Sequence, residues 1–432
     1  MGSTVRRVMA LIVALGTAFA AMADSGRSEV ELLLELLVRK GVVTREEAEA
    51  LRAEMDALRR GERPPAEAAA TAQPPAPAAA TGTAPAPGAG GRPRGLRLGM
   101  LAYLSYQDGS LWSPEAGRNV DVSRFRIKRG YLDVRFRAAP SLEVRVTPDV
   151  HQEVGGDWKL RMKYLYGKFR WSGGGILADP YVEVGMVHIP WLDFEEHINQ
   201  YRMQDTMFLE RSGLFNSADL GLTFGANLGP ELPEAYRRTV SSHYAGRYGS
   251  FQVGLYGGSG YHAPDRNDNL VLEGRLTVRP FPDAAPGFQL STFGVLGKGN
   301  TAAEPDWNLA AAMLSWESPR LVLTAQAVTG TGNQSGSAVG PDGRSLDHEG
   351  YSLFGELRLG RERTWSVIGR WDRFDPDTGD RVTGSETRRW IAGVAWRPLA
   401  GATWLLDYQR VDRGLGGVPD EHRLQLTLQL AY

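Results

Sequence analysis

Arginine and lysine recur at alternate positions in several short stretches of this sequence. Alternate residues of a β-strand point to the same face, so each stretch would present a row of cations. Rows of Arg or Lys lower the electrostatic barrier for anions, and the planar arginine fork suits phosphate oxygens. The residues predicted to form this basic face are Arg124, Arg126, Lys128, Arg135, Arg137, Arg145, Lys159, Arg161, Lys163, Arg275 and Arg279.

A second interpretation is that these cations pair with carboxylates and give no preference for anions. The chain has 49 Lys and Arg residues against 50 Asp and Glu residues, for a formal net charge of -1. This balance offers no basic excess for nucleic acid. An anion-favouring face and a balanced face therefore both remain open.

Other chemistry finds little support in the sequence. There is no cysteine, which excludes disulfides, thiolate metal sites and a lipid-anchored precursor. His151, Glu153, His188 and His197 do not have the spacing of a known metal site. No nucleophile elbow, phosphate-binding loop or dinucleotide motif occurs in a suitable context. The sequence thus predicts no catalytic residue, metal or cofactor, although a barrel enzyme stays open as an alternative.

The basic rows lie in a region, 95–432, whose short segments alternate in polarity. Leu142, Val144 and Val146 alternate with Glu143, Arg145 and Thr147, and Leu160, Met162 and Tyr164 alternate with Lys159, Arg161 and Lys163. A soluble sandwich would give the same alternation. The segments, however, approach the ~9–11 residues of a tilted membrane strand, and short turns alternate with long loops. We therefore predict an all-β fold, a transmembrane antiparallel β-barrel of about 16 strands, with its apolar face toward lipid.

Two details of the predicted barrel are less determined. The sixteenth strand is expected at 219–227 or at 238–247, because the short turns must stay at one end. The alternation of polar and apolar residues also changes phase near Gly130. A β-bulge there would place Arg135 and Arg137 on the same face as Arg124 and Arg126.

The N-terminal part predicts export and a separate helical segment. Residues 1–23 have the layout of a cleaved signal peptide: Arg6 and Arg7, an apolar run, and a small-residue site before Asp24. Within 24–60, two capping boxes and helical apolar spacing predict a short α-helical, possibly coiled-coil, segment that could bind a periplasmic partner. Residues 61–94 are rich in Pro, Ala and Gly and are typical of a linker.

The sequence resembles the phosphate-selective porin O and P family over roughly 29–58 and 95–432. The stretches that carry the resemblance are the helical preface 35–48, the basic strand that contains Arg124–Tyr131, the step Gly185–Trp191, the segment Phe208–Ser212 and the tripeptide Asp219–Gly221. His188 stands where a lysine is common in that family.

This resemblance implies a trimeric outer-membrane channel of a Gram-negative cell, with lipid around it and small hydrophilic or anionic solutes inside. Its third loop would fold into the pore and narrow it. The residues expected at that constriction are Asp193, Glu195, Glu196, Arg202 and Asp205. A mainly structural role, with the helical preface as an anchor, is the alternative.

Overall fold

The computed structural model describes Arg45, Glu49 and residues 95–113, 115–152, 156–380, 386–414 and 420–432. The chain divides into two compact units, Met1–Gly88 and Ala89–Tyr432. In the first unit Arg45 and Glu49 are helical and exposed. Apart from these two residues, the predicted signal peptide, helical segment and linker lie outside the described residues and stay predictions.

The second unit is a closed barrel in which each strand pairs antiparallel with its sequence neighbours and β1 pairs with β16. The prediction of a sixteen-stranded antiparallel barrel is confirmed. The strands are β1 Arg97–Ser113, β2 Arg118–Ala139, β3 Leu142–Gln152, β4 Trp158–Arg170, β5 Leu177–His188, β6 Ala218–Leu228, β7 Gly249–Tyr256, β8 Val271–Val278, β9 Phe288–Lys298, β10 Asp306–Glu317, β11 Leu321–Thr331, β12 Asp347–Leu359, β13 Trp365–Asp375, β14 Thr387–Leu399, β15 Ala402–Asp412 and β16 Glu421–Ala431.

The sixteenth strand is β6, at the first of the two expected positions. The other candidate, 238–247, is wrong as a strand, because the helix α3 (Glu234–Thr239) and a loop occupy it. Two further helices, α1 (Pro190–Ile198) and α2 (Phe208–Arg211), lie between β5 and β6. No helix among the described residues is long and apolar enough to cross a membrane.

The barrel has a turn end and a loop end. The turn end holds the start of β1, the end of β16 and tight connections such as 140–141, 318–320 and 400–401. The loop end holds the connection 189–217, here called the lumen loop, and the connection 332–346. Odd-numbered strands therefore run from the turn end to the loop end.

Apolar side chains cover the outer face of the barrel. Leu160 is 70% exposed, Leu296 62% and Leu353 51%, whereas inward-facing polar residues such as Thr147 and Gln425 are buried. Trp365 and Trp396 stack on this face at the turn end, with ring centroids 5.7 Å apart. This is the alternation that a lipid-facing sheet requires, because only the inner face can solvate polar side chains.

Two bulges shift the alternation on the basic strands. Ile127 pairs with Leu104 while Arg129 pairs with Tyr103, so Lys128 is the extra residue, close to the expected slip near Gly130. A second bulge at Lys163 was not expected: it separates Met162, paired with Pro148, from Tyr164, paired with Thr147. The assignment of Tyr164 to the apolar outer face is therefore wrong, since this side chain is buried inside the barrel.

The loop-end half of the inner face of β9, β10 and β11 is apolar, whereas a polar inner face was expected; toward the turn end, inward residues such as Ser291, Ser315 and Thr324 are polar. Phe293, Trp307, Leu309, Met313 and Val328 point inward and are each at most 5% exposed. They belong to one apolar cluster with side chains of the lumen loop, which include Trp191, Leu192, Phe194, Met207 and Phe215. The loop thus shields this side of the lumen from water.

The packing of Trp191 predicts a defect confined to the loop. Trp191 is fully buried, with its ring 5.5 Å from that of Phe293. We expect Trp191→Ala to weaken loop docking by about 3–5 kcal/mol, the usual effect of truncating a buried aromatic residue. Trypsin should then cleave faster after Arg202 and Arg211, while heat-modifiable migration of the barrel persists.

Trp316→Ala is the matched control, because Trp316 lies on the outer face of β10, away from the loop. Equal cleavage rates in the two variants would contradict the proposed packing.

Candidate functional site in the barrel lumen

The lumen loop crosses the inside of the barrel, because inward side chains of widely separated strands bind it. On one side, Arg275 of β8 donates to the Pro190 carbonyl at 3.1 Å, and Gln326 of β11 donates to the Glu195 carboxylate at 2.5 Å. Tyr201 donates to Glu356 of β12 at 2.7 Å.

The loop is also held from the opposite wall. Arg370 of β13 donates to the Thr206 carbonyl at 2.8 Å, and Gln425 of β16 donates to the Gln204 carbonyl at 2.6 Å. Lys128 of β2 donates to the Met203 carbonyl at 2.6 Å and to that of Gln204 at 3.0 Å. The loop therefore spans the barrel from β8 round to β2 and must narrow the space inside.

Asp193 and Glu195 lie on α1 in different environments. Asp193 accepts a hydrogen bond from the Tyr244 hydroxyl and lies 3.5 Å from His188 Nε2. Burial raises the pKa of Asp193, but His188, His197 and the Tyr244 hydroxyl outweigh it, so the net shift is downward. Burial raises the pKa of Glu195 to about 7, because the hydrogen bond from Gln326 and the attraction of Arg370 compensate only partly.

The other three constriction candidates are tied into ion pairs. Arg202 lies 2.6 Å from Glu196 and donates to both oxygens of Glu210 at 2.7 and 2.8 Å. Asp205 pairs with Arg211 and lies 3.3 Å from Arg423 of β16. These pairs are largely buried, where an uncompensated charge would be costly. All five candidates thus lie in the loop that fills the lumen, while their role at a constriction stays a prediction.

Part of the predicted basic face is neutralised by carboxylates on the same wall. Asp133 lies 2.7 Å from Arg135 and 2.6 Å from Arg145. Asp149, which is fully buried, lies 2.6 Å from Arg161. The interpretation in which cations pair with carboxylates therefore holds for Arg135, Arg145 and Arg161.

A second group of basic residues has no carboxylate partner among the described residues. Arg124 and Arg126 pair with Gln107 and Ser105 of β1, which places them on the inner face near the loop end. Arg129, which pairs with Tyr103, also faces inward because the bulge falls at Lys128, but it interacts electrostatically with Glu210 of the lumen loop. Arg137 is exposed near the turn end. Lys159 lies near the loop end of β4 and is not one of this group, because it has an interaction of its own.

The remaining basic candidates hold other groups in place. Lys128 binds lumen-loop carbonyls, and Lys163 donates to the Tyr131 hydroxyl at 3.0 Å. Arg275 lies over the Phe194 and Tyr244 rings, 4.3 and 4.8 Å from their centroids. Arg279 donates to the Pro286 carbonyl and to that of Tyr244. These four residues hold side chains and loops together in the lumen.

Inward tyrosines are the feature that sequence reasoning missed. Tyr103, Tyr131, Tyr164 and Tyr166 are at most 8% exposed, on the same wall as the basic residues. Lys163 lies 4.5 Å from the Tyr131 ring centroid, and the Arg145 guanidinium lies 4.4 Å from that of Tyr164. These contacts are cation–π geometry. After the bulge at Lys128, the inward residues of β2 are Arg129, Tyr131 and Asp133. Recognition of that bulge in the sequence would have predicted that Tyr131 faces the lumen.

His188 belongs to the same group of inward side chains as Arg145 and Tyr164. Its Nε2 lies 2.7 Å from Arg145 Nη1, its Nδ1 lies 3.6 Å from Glu183, and its ring centroid lies 4.2 Å from that of Tyr164. Glu183 also accepts from Lys168 at 2.8 Å. Within the described residues no group of three His, Asp or Glu side chains could hold a metal ion.

Comparisons with known proteins support the fold. Neither protein-family models nor curated proteins give a match to this chain. The outer-membrane channel DcaP of Acinetobacter baumannii is similar with a TM-score of 0.54 at 13% identity, over 78% of this chain and 97% of that one. The anion-selective porin of Comamonas acidovorans is similar with a TM-score of 0.53 at 9% identity, over 78% and 99%. OmpF of Salmonella typhi, solved with daunomycin, gives 0.53 at 8%, over 78% and 97%.

At these identities the likeness shows a shared fold: this chain has the barrel fold of outer-membrane porins. Membership of the phosphate-selective porin O and P family stays a prediction.

The environment of Glu195 predicts a pH dependence of the lumen loop. A carboxyl whose pKa is raised from 4.5 to about 7 in the folded loop binds more protons there than when the loop is released. Loop docking should therefore be tightest below about pH 4.5 and weaken as the pH rises through about 7. Glu195→Gln, which stays neutral, should tighten docking at pH 8 by about 1–3 kcal/mol and change little at pH 4.

The measurement is hydrogen exchange of the α1 amides in the variant and the parent chain, compared at each pH. Glu196→Gln is the control, since it breaks the pair with Arg202 and should loosen the loop at neutral and alkaline pH. A Glu195→Gln effect of the same size at both pH values would contradict the assignment.

Proposed function

We propose that this protein is an outer-membrane channel through which small hydrophilic solutes diffuse passively. The observation that carries the proposal is a closed barrel with an apolar outer face, a polar inner wall on β1–β5 and a loop folded through its lumen. A water-filled passage needs such a wall, and a barrel of sixteen strands is wide enough to leave one.

The route that we propose follows β1–β5 and β16. The opposite side, β9–β11, is covered by the apolar part of the lumen loop over its loop-end half, and its inward polar residues nearer the turn end, such as Ser315 and Thr324, are buried. On the proposed route, the Arg161 guanidinium lies 5.1 Å from the Tyr261 ring centroid, and Arg126 lies near Arg124 and Arg129. Solutes would meet hydrogen-bonding groups and aromatic faces in turn.

We further propose a preference for anions. Arg124 and Arg126 supply positive charge near the loop end without a carboxylate partner among the described residues, while Asp133 and Asp149 deeper in the lumen are paired with arginines. The Comamonas acidovorans porin, named as anion-selective, shares the fold and makes this preference plausible by analogy. Selectivity for phosphate is the narrower form of the proposal, and blockage of chloride current by phosphate would support it.

The proposed setting is the outer membrane of a Gram-negative cell, reached by means of a signal peptide at 1–23. Its partners would be outer-membrane lipid and two further copies of the chain, as the family resemblance implies. The helical segment at 24–60 would bind a periplasmic partner through its apolar stripe.

The anion preference predicts the behaviour of a double variant in planar bilayers. Arg124→Gln with Arg126→Gln should lower the anion-to-cation permeability ratio about two- to threefold, read from the reversal potential in a salt gradient. The effect should shrink at 1 M salt, where the screening length is about 3 Å.

Arg388→Gln is the matched control, because Arg388 shares the outer face of β14 with Trp390 and pairs with Glu386. A double variant with the reversal potential of the control would overturn the anion preference and leave the channel intact. A correctly folded, heat-modifiable parent chain without conductance would overturn the channel itself.

A further inference from the structure

One connection at the turn end departs from the others in length and position. Residues 229–248, which join β6 to β7, include α3 and are here called the brace. Turn-end connections in such barrels are ordinarily short, and 140–141 and 400–401 follow that rule. A long insertion at this end therefore needs a structural reason.

The brace folds back on itself as a small, hydrogen-bonded unit. Leu232 donates its amide to the Ala245 carbonyl at 2.8 Å, and Arg247 donates to the Pro230 carbonyl at 2.7 Å. Leu232 and Ala245 are buried at its base. By contrast, α3 buries no residue, so the brace packs through its base and the residues that follow α3.

Those residues reach the lumen loop. The Tyr244 hydroxyl binds the Asp193 carboxylate of α1, and the Tyr244 ring meets that of Phe194 edge to face at 5.3 Å. His243 lies against His197, also on α1, with ring centroids 3.8 Å apart. A connection from the turn end thus contacts a helix that enters from the loop end.

Tyr244 is held in a conformation that a bulky residue rarely adopts. Its φ angle is 50°, in the left-handed region. Such a backbone persists where surrounding contacts determine it. Here Arg279 donates to the Tyr244 carbonyl, and Arg275 covers the rings of both Tyr244 and Phe194. The strain and these contacts fall on the same residue.

We propose that the brace holds α1 in place from the turn end, that Tyr244 is its positioning residue, and that this contact keeps the lumen loop from fluctuating across the passage. The role in solute passage rests on the proposed channel function, whereas the contact itself does not. Because Asp193 is charged and only half-buried, loss of the Tyr244 hydroxyl removes a charge-assisted hydrogen bond that water can replace only in part. The brace is therefore part of the machinery that sets the narrowest point.

The first test compares two tyrosines of the brace by single-channel recording. Tyr244→Phe keeps the ring and removes the bond to Asp193, so we expect brief closures to become about tenfold more frequent while the mean open conductance stays the same. Tyr236→Phe is the matched control, because Tyr236 lies on α3 and its hydroxyl makes no hydrogen bond to α1 among the described residues. Tyr244→Ala, which also loses the ring contacts, should change the open conductance itself.

Equal closure rates in Tyr244→Phe, Tyr236→Phe and the parent chain would overturn the role of Tyr244. Heat-modifiable migration of each variant separates this result from misfolding.

The second test does not depend on conductance. The chain has no cysteine, so His197→Cys with His243→Cys introduces a unique pair for a short thiol-reactive cross-linker. We expect rapid cross-linking in the folded barrel and slow cross-linking in the control pair His197→Cys with Arg238→Cys, since Arg238 is exposed on α3.

Similar rates for the two pairs would overturn the contact between brace and α1. Rapid cross-linking of the first pair in a barrel that conducts no ions would support the brace and reject the channel, so the two proposals fail separately.

Discussion

The structure of the lumen depends on the packing of one loop against the inside of the barrel. Phe293, Trp307 and Met313 point inward from β9 and β10, where water would otherwise meet them, and Trp191 and Phe215 of the lumen loop cover them. At about 25 cal/mol per Å² of apolar area, burial of several aromatic rings far exceeds any single hydrogen bond of the loop. The hydrophobic contact therefore decides which side of the lumen is closed, and polar contacts decide how the loop lies on the other side.

On the side of the lumen formed by β1–β5 and β16, the placement of charges follows from the free-energy cost of burying an unpaired ion. Arg145, Arg161 and Arg202 each have a carboxylate within 3 Å, as expected where burial makes a lone charge unfavourable. Arg124 and Arg126 have none among the described residues and lie nearer the loop end, where water can solvate them. A gradient results, from free positive charge at the loop end to compensated pairs in the middle. Such a field would attract anions at entry without holding them at the centre.

The sequence predicted the barrel well because its alternation is a local signal. The segment 219–227, one of the two positions expected for the sixteenth strand, is β6, and the polar face expected for Arg145 and Thr147 of β3 is the inner face. Bulges are harder to predict, because one inserted residue reverses the face of all that follow, as the inward turn of Tyr164 shows. Pairings across the lumen, such as Gln326 with Glu195, join residues far apart in the sequence and depend on the path of the loop. No periodic pattern encodes that path, and the contact of Tyr244 with Asp193 has the same origin.

Several cations that the sequence assigns to selectivity instead donate to backbone carbonyls of the loop. Lys128 binds Met203, Arg275 binds Pro190, and Arg370 on the far wall binds Thr206 in the same way. A carbonyl carries no net charge, so these bonds fix the loop without pairing the donor with a carboxylate, although Arg370 also lies 2.8 Å from Asp372. Movement of the loop would therefore free these cations toward the passage and at the same time widen it. In the channel that we propose, conductance and selectivity would be coupled through the same residues, because the groups that set the position of the loop are also part of the lumen's field.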